Sequence, residues 1–314
     1  MTWVAWRQGR SENALLAGLL LGLAALLVLT GAHMHSVFNE LGLAPCGAAA
    51  GDSLPRSCAL QAQSFVTRFD GMSQLGPWIG LAPGLFGVLA ATPLVLELDQ
   101  GTYRLAWTQS ITPRRWLAAR IGFMLGVVVL SSVVLIALAA YWRHPLDLLG
   151  GRVDPTAFDL EGIVPFAYAL FAASLVLAIG SITRRTGLAV AGGFGAYLLA
   201  RLLMRSLREH LIPPVHALTH PPDGPAGIRH AWVISQSYSG PHGSAAAYAV
   251  LRKCLTNDGD LNSHCIAQHH ILSSWIYQPA SRFWPLQAIE GGVFLALSAV
   301  CLALAVWWIR NRIA

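Results

Sequence analysis

Residues 14–34 read ALLAGLLLGLAALLVLTGAHM. Leucine and alanine fill the stretch, and it carries no acid, lysine or arginine. A helix rises about 1.5 Å per residue, so roughly 20 such residues cross the ~30 Å hydrocarbon layer of a bilayer. Five further runs meet the same length, at 76–97, 117–141, 162–181, 187–206 and 288–309. The composition agrees: of 314 residues, 55% are hydrophobic and 11% charged, where soluble domains carry about 25% charged residues. The expected fold class is an all-α polytopic membrane protein with six transmembrane helices, one membrane domain over 1–314.

The arginines orient these spans. Arg7 and Arg10 precede the first; Arg104, Arg114, Arg115 and Arg120 lie between the second and third; Arg184 and Arg185 sit in the tight turn Ser181–Gly187; Arg310 and Arg312 follow the sixth. With six spans all four regions fall on one face. Basic loops stay cytoplasmic, so both termini are expected inside a cell membrane. The outside segments are then 35–75, 142–161 and 207–287. The net charge of +6 is spread over short loops rather than gathered in a stripe, which argues against a nucleic-acid partner. The first run is long for a signal peptide and lacks a small-x-small cleavage site, so it reads as an uncleaved span. Residues 1–13, with Trp3 and Trp6 among Arg7, Gln8 and Arg10, read either as a helix lying in the membrane interface or as a basic tail.

Cys46 and Cys58 share the first outside segment, and Cys254 and Cys265 the third; Cys301 is alone in the sixth span. Two local pairs in an oxidising compartment are expected to be disulfides. The second span is interrupted by Gly80, Pro83, Gly84, Gly87 and Pro93. Proline and glycine inside a span need protein neighbours to satisfy the freed backbone, so this helix is expected to face protein or a pathway.

Several chemistries are excluded. The single lysine, Lys253, sits in VLRKCL and not in a phosphate-binding loop. Neither H-E-x-x-H nor G-x-S-x-G occurs. No catalytic residue and no cofactor are expected in this chain. Few acids fall within the spans, and Glu97 and Glu290 lie toward span ends, which disfavours a proton-coupled carrier. His264, His269 and His270 flank the third segment's cysteines, but solvated surface explains them as well as a tetrahedral zinc site does; no metal is assigned.

Residues 97–120, ELDQGTYRLAWTQSITPRRWLAAR, form the most specific segment. It reads as a short helix along the membrane surface followed by a restart at Thr112-Pro113, an N-cap with proline at the first helical position. The acid, the Gly-Thr, RLAWTQS, Thr-Pro and RWL elements resemble permease subunits of bacterial type-2 ABC exporters, and are especially similar to a group common in actinobacteria. YQPASRFWPLQAIE at 277–290 resembles the same group, and the six-span plan matches along almost the whole chain.

That resemblance implies the type V, or G-subfamily, exporter fold. It implies two six-span units, expected as a homodimer in the lipid bilayer, each docking a separate ATP-binding ABC subunit that holds ATP and Mg. Segment 97–116 would be the coupling helix, with Glu97, Arg104, Trp107, Gln109, Arg114 and Arg115 meeting the ATPase. Residues 1–13 would be the elbow helix, and spans 1, 2 and 5 would line the path. The substrate would be hydrophobic or amphipathic, a drug, antibiotic or lipid-like molecule. Arg201 and Glu290, both near the outer surface, are expected to pair as an outer gate; snorkelling to the interface is the alternative. The long insertion 207–287 departs from the family plan and leaves room for a second reading: a receptor or immunity protein that senses an extracellular peptide through this cap.

Overall fold

The computed structural model describes residues 10–48, 56–104, 112–221, 223–256 and 261–313. Within them, six helices are long and apolar enough to cross a membrane: Asn13–Glu40, Gly76–Gln100, Pro113–Gly150, Val164–Thr183, Thr186–Leu211 and Ala280–Arg312. Each overlaps one of the six apolar runs. The chain is a multi-pass membrane protein.

In chain order the helices are α1 (Arg10–Glu40), α2 (Ala44–Ala48), α3 (Arg56–Ser73), α4 (Gly76–Ile79), α5 (Ala82–Gln100), α6 (Pro113–Gly150), α7 (Pro155–Phe158), α8 (Val164–Thr183) and α9 (Thr186–Leu211). Then come β1 (Val215–Thr219), β2 (Trp232–Ser239), α10 (Ser244–Lys253), α11 (Ser263–Gln268), β3 (Leu272–Gln278) and α12 (Phe283–Trp308). The bundle has an arginine end, where α5 stops and α6, α9 and the α8–α9 turn begin. Its opposite, cap end carries the insertion and both disulfides.

Helix α8 is the axis of the bundle. It packs against α5, α6, α9 and α12. Its alanines at 167, 169, 172 and 173 are fully buried, and their small side chains let neighbouring backbones come close, the means by which helices associate in lipid. Around α8 lie Val88, Val95, Met124, Val128, Tyr197 and Phe294.

Helices α1 and α6 have 31 and 38 residues. At ~1.5 Å per residue they run about 46 and 57 Å, well beyond the ~30 Å hydrocarbon layer. Their overhang at the cap end is not bare. Helix α3 folds back along it, and Phe38, Phe65, Phe69, Leu135, Ala139 and Trp142 make a second core. The Cys46–Cys58 disulfide, with Cα atoms 5.7 Å apart, closes this unit. Two stretches expected as outside loops are thus largely helical: 35–75 contains α3, and 142–161 begins as the last turns of α6.

The larger departure is the insertion at 207–287. It holds a three-stranded antiparallel sheet in the order β1-β3-β2, with Val215 and Val233 both facing Tyr277 and a register shift between Val233 and Ser235. The span architecture remains all-α, and this sheet is its small exception. Helices α10 and α11 cover one edge of the sheet over Ala247, Leu251, Cys254, Ile266 and Ile271, and the Cys254–Cys265 disulfide (Cα–Cα 5.6 Å) locks them together.

The sheet continues the spans directly. β1 follows α9 after Pro213-Pro214, and β3 leads into α12. Gln278 Nε2 donates to the Ile212 carbonyl at 2.7 Å, while Arg282 donates to Gln278 Oε1 at 2.7 Å and to the Pro213 carbonyl. A relative movement of α9 and α12 therefore has to be carried by the sheet.

Candidate functional site

Helix α9 places Tyr197, Arg201 and Arg208 on one face, by the four- and seven-residue spacings that line up along a helix. That face meets α8 and α12. Arg208 is 1% exposed. Its Nε and Nη2 donate to the two carboxylate oxygens of Glu290 at 2.8 and 2.9 Å, and Nη2 also reaches Asp159 Oδ1. Arg201 donates to Asp159 Oδ2 at 2.9 Å and to the Gly80 carbonyl. The Tyr168 hydroxyl donates to Glu290. Two guanidinium groups and two carboxylates thus form one neutral, buried belt. A buried charge without a partner costs several kcal/mol, which is why the four occur together.

The rings around the belt match its charges. The Arg208 guanidinium lies 4.2 Å from the Phe158 ring centre, and that of Arg201 lies 5.2 Å from Tyr168. A β-carbon at position 84 would collide with the Tyr197 ring, and one at position 80 would stand 2.7 Å from Arg201 Nη2. Glycines 80 and 84, which mark the interrupted second span in the sequence, are the openings through which α9 reaches α5.

The expected Arg201–Glu290 pair is corrected by this geometry. Arg201 turns to Asp159 and Gly80, and Arg208 takes Glu290. Asp159 joins the two arginines, so the residues named from the sequence belong to one belt without meeting directly.

Asp159 stands in the α7–α8 loop, and so does Glu161. Arg143 lies between Asp147 (3.0 Å) and Glu161 (3.9 Å), and Arg152 also pairs with Glu161. The loop is held by one side chain of α12. Gln287 Oε1 accepts from the Ile163 and Val164 amides at 3.1 and 3.0 Å, supplying partners that the start of α8 lacks. Its Nε2 donates to the Phe158 and Glu161 carbonyls, each at 3.0 Å. Gly162 has φ +72°, and a β-carbon there would sit 2.7 Å from Gln287 Oε1.

The belt is incompletely satisfied. Among the described residues the belt's Arg208 Nη1, and the neighbouring Tyr197 Oη and Glu161 Oε1, are buried with no hydrogen-bond partner. An unmade hydrogen bond is costly in a low-dielectric interior.

At the arginine end, Glu97 is 7% exposed and ion-paired with Arg120 of α6. The side chain nominated for contact with a partner protein is therefore turned into the bundle. Its neighbour Asp99 is exposed, and its Oδ2 accepts from both the amide and the hydroxyl of Thr186, at 2.9 and 2.8 Å. The carboxylate of α5 thus caps the first turn of α9, where the helix dipole favours negative charge. Arg104 is exposed beside the Tyr103 ring, 5.9 Å away, and Tyr103 is buried next to Trp116. Arg114 and Arg115 are exposed on the first turn of α6. Trp107 and Gln109 lie outside the described residues.

Sequence reasoning missed Asp159, Tyr168, Arg208, Gln287 and the Asp99–Thr186 contact. The one available signal was the seven-residue spacing of Arg201 and Arg208. Both expected disulfides are present. Among the described residues no group of three or more His, Cys, Asp or Glu side chains is arranged to hold a metal ion.

No curated protein and no solved structure matches the chain. A family model does match, described as ABC-2 membrane transporter related, over residues 17–208. That range is more than half of the chain and takes in the first five spans, the turn between α8 and α9, and all of the belt except Glu290. The chain belongs to the ABC-2 membrane transporter related family.

Proposed function

We propose that this protein is the membrane subunit of an ATP-driven exporter, moving a hydrophobic or amphipathic substrate outward by alternating access. Permeases of this family are normally the non-catalytic membrane subunit and imply an ATP-binding ABC partner. In this reading two copies pair in a bacterial cell membrane with both termini in the cytoplasm. Segment 97–116 meets the ATPase through Arg104, Trp107, Gln109, Arg114 and Arg115. Glu97 braces the segment's root against Arg120.

The belt is the outer gate. The observation that carries this assignment is a neutral set of four buried charges contributed by α9, α12 and the α7–α8 loop, incompletely bonded and at the end of the bundle opposite the coupling segment. A gate needs two states separated by differential contacts. Here Asp159 is shared between two arginines, so a shift of α9 along α12 exchanges ionic partners without stranding a charge. On the other side, the Asp99–Thr186 bridge ties the coupling end of α5 to the start of α9, the helix that bears both belt arginines. Movement of the coupling segment thereby reaches the gate through a single rigid helix.

The test is reconstitution with the ATP-binding subunit in inside-out vesicles. The expected result is ATP-dependent accumulation of Hoechst 33342 or of an NBD-labelled phospholipid, abolished by a hydrolysis-dead ATPase. Absence of ATP-dependent movement for both probes, with the complex intact, contradicts export of this substrate class.

A further inference from the structure

Outside all candidate spans, the cap holds an open pocket of about 550 Å³ lined by Tyr238, Tyr248, Leu251, Arg252, Leu255 and Leu261. This volume is within the ~300–1,000 Å³ of small-molecule sites. Leu255 and Tyr248 of the cap lie outside the candidate spans and are 48% and 44% exposed. Apolar side chains left in water around a concavity mark a ligand surface.

The walls are aromatic and pre-set. Tyr238 and Tyr248 stand edge to face, ring centres 5.5 Å apart at 86°. Tyr238 is held by a hydrogen bond from Gln236 Nε2 at 2.8 Å. Burial, and then the neighbouring Tyr248, push its phenol above the ordinary value. The Cys254–Cys265 disulfide follows immediately on α10, and Leu255 and Leu261 are bridged by strand-like backbone pairing. A pocket held this way loses little conformational entropy on binding.

Among the described residues the rim carries one charge. Arg252 is exposed and makes no ion pair among the described residues. A planar guanidinium lining the same pocket as two tyrosine rings suits an oxyanion attached to a flat or short apolar body.

We propose that this pocket binds a small anionic amphipath: one carboxylate or sulfonate against Arg252, with an aromatic or short-chain body between Tyr238, Tyr248 and the leucines. The site is a property of the cap and is independent of the export reading, since binding there needs no ATPase.

The experiment is calorimetry on the purified full-length protein in nanodiscs, against empty nanodiscs, with three probes: 2-naphthalenesulfonate, neutral 2-naphthamide and cationic 2-naphthylmethylammonium. One saturable sulfonate site per chain is expected, with the amide and the cation each weaker by roughly tenfold, about the value of one hydrogen bond to a charged group. Arg252→Gln is expected to weaken the sulfonate by a similar factor while leaving amide binding and thermal stability unchanged, because Arg252 is exposed. Tyr248→Ala is expected to weaken sulfonate and amide alike. Equal affinity for the three probes, absence of saturable binding, or sulfonate binding indifferent to Arg252→Gln overturns the proposal. Sulfonate binding without transport of the sulfonate assigns a sensing site; binding with ATP-dependent efflux assigns a cargo site. Either result supports the pocket.

Discussion

Arg208 and Glu290 are 82 residues apart in the chain and meet through two hydrogen bonds of 2.8 and 2.9 Å inside the bundle. Both side chains are essentially inaccessible to solvent. Removing one member of such a pair strands the other, at a cost of about 3–5 kcal/mol. Arg208→Met and Glu290→Met are each expected to lower the midpoint of thermal unfolding in detergent by many degrees. The double variant Arg208→Met, Glu290→Met is expected to recover part of the loss, since Asp159 retains Arg201. Additive losses in the double variant would show that the two residues do not act as a pair.

Gln287 satisfies two amides and two carbonyls of the α7–α8 loop at once. Gln287→Ala leaves the buried Val164 amide and the part-buried Ile163 amide without their partner, and a buried unmade bond costs about 1–3 kcal/mol. A clear drop in thermal stability is expected, and Gln287→Glu should lose at least as much, because an ionised carboxylate there is buried against the Phe158 and Glu161 carbonyls. Gly162→Ala is expected to behave like Gln287→Ala, because a side chain there meets both a positive φ and the Gln287 amide. Unfolding midpoints of the three variants, compared in one detergent, check this order.

The Asp99–Thr186 contact has a different signature, since Asp99 is exposed. Asp99→Ala removes a cap worth about 1 kcal/mol, so insertion and thermal stability should barely change. Transport is expected to fall by roughly fivefold or more, the size of a modest coupling free energy, while ATP hydrolysis continues. Thr186→Val should give the same uncoupled pattern. Unaltered transport per ATP hydrolysed in both variants would remove this bridge from the coupling route.

The disulfides restrain separate units. Each closes a loop of about a dozen residues, for which chain entropy gives ~3 kcal/mol. Cys254→Ser with Cys265→Ser is expected to make the 240–270 region protease-sensitive and to abolish naphthalenesulfonate binding, with the spans unaffected. Cys46→Ser with Cys58→Ser should instead loosen α3 against α1. Limited proteolysis followed by mass spectrometry distinguishes the two.

The spans were legible because length and apolarity are local properties: each apolar run overlaps one candidate span of the structure. The cysteine pairs were legible because each lies within one short segment. The belt was not. Asp159 and Glu161 sit in a Gly- and Pro-containing stretch that reads as a solvated loop, and only the packing of α6, α9 and α12 around it buries them. Arg208, in SLREHL near a helix end, reads as an interfacial anchor, yet it is among the most buried side chains of the chain. The direction of Glu97 was equally hidden, because a residue at a helix terminus can face a partner or its own bundle with the same sequence. The sheet escaped notice because its strands have five, eight and seven residues, and β2 is bulged, which interrupts the two-residue alternation that marks a strand.

The central claim is that the segment between α5 and α6 engages an ATP-driven partner in the cytoplasm. A photo-crosslinking amino acid at Thr108, introduced in a Cys301→Ser background and irradiated in intact cells, tests it most directly. The account predicts a crosslinked product containing an ATP-binding ABC subunit, and no reaction of a Thr108→Cys variant with a membrane-impermeant maleimide added outside. Labelling of that cysteine from outside intact cells, with no ATPase crosslink, would contradict it.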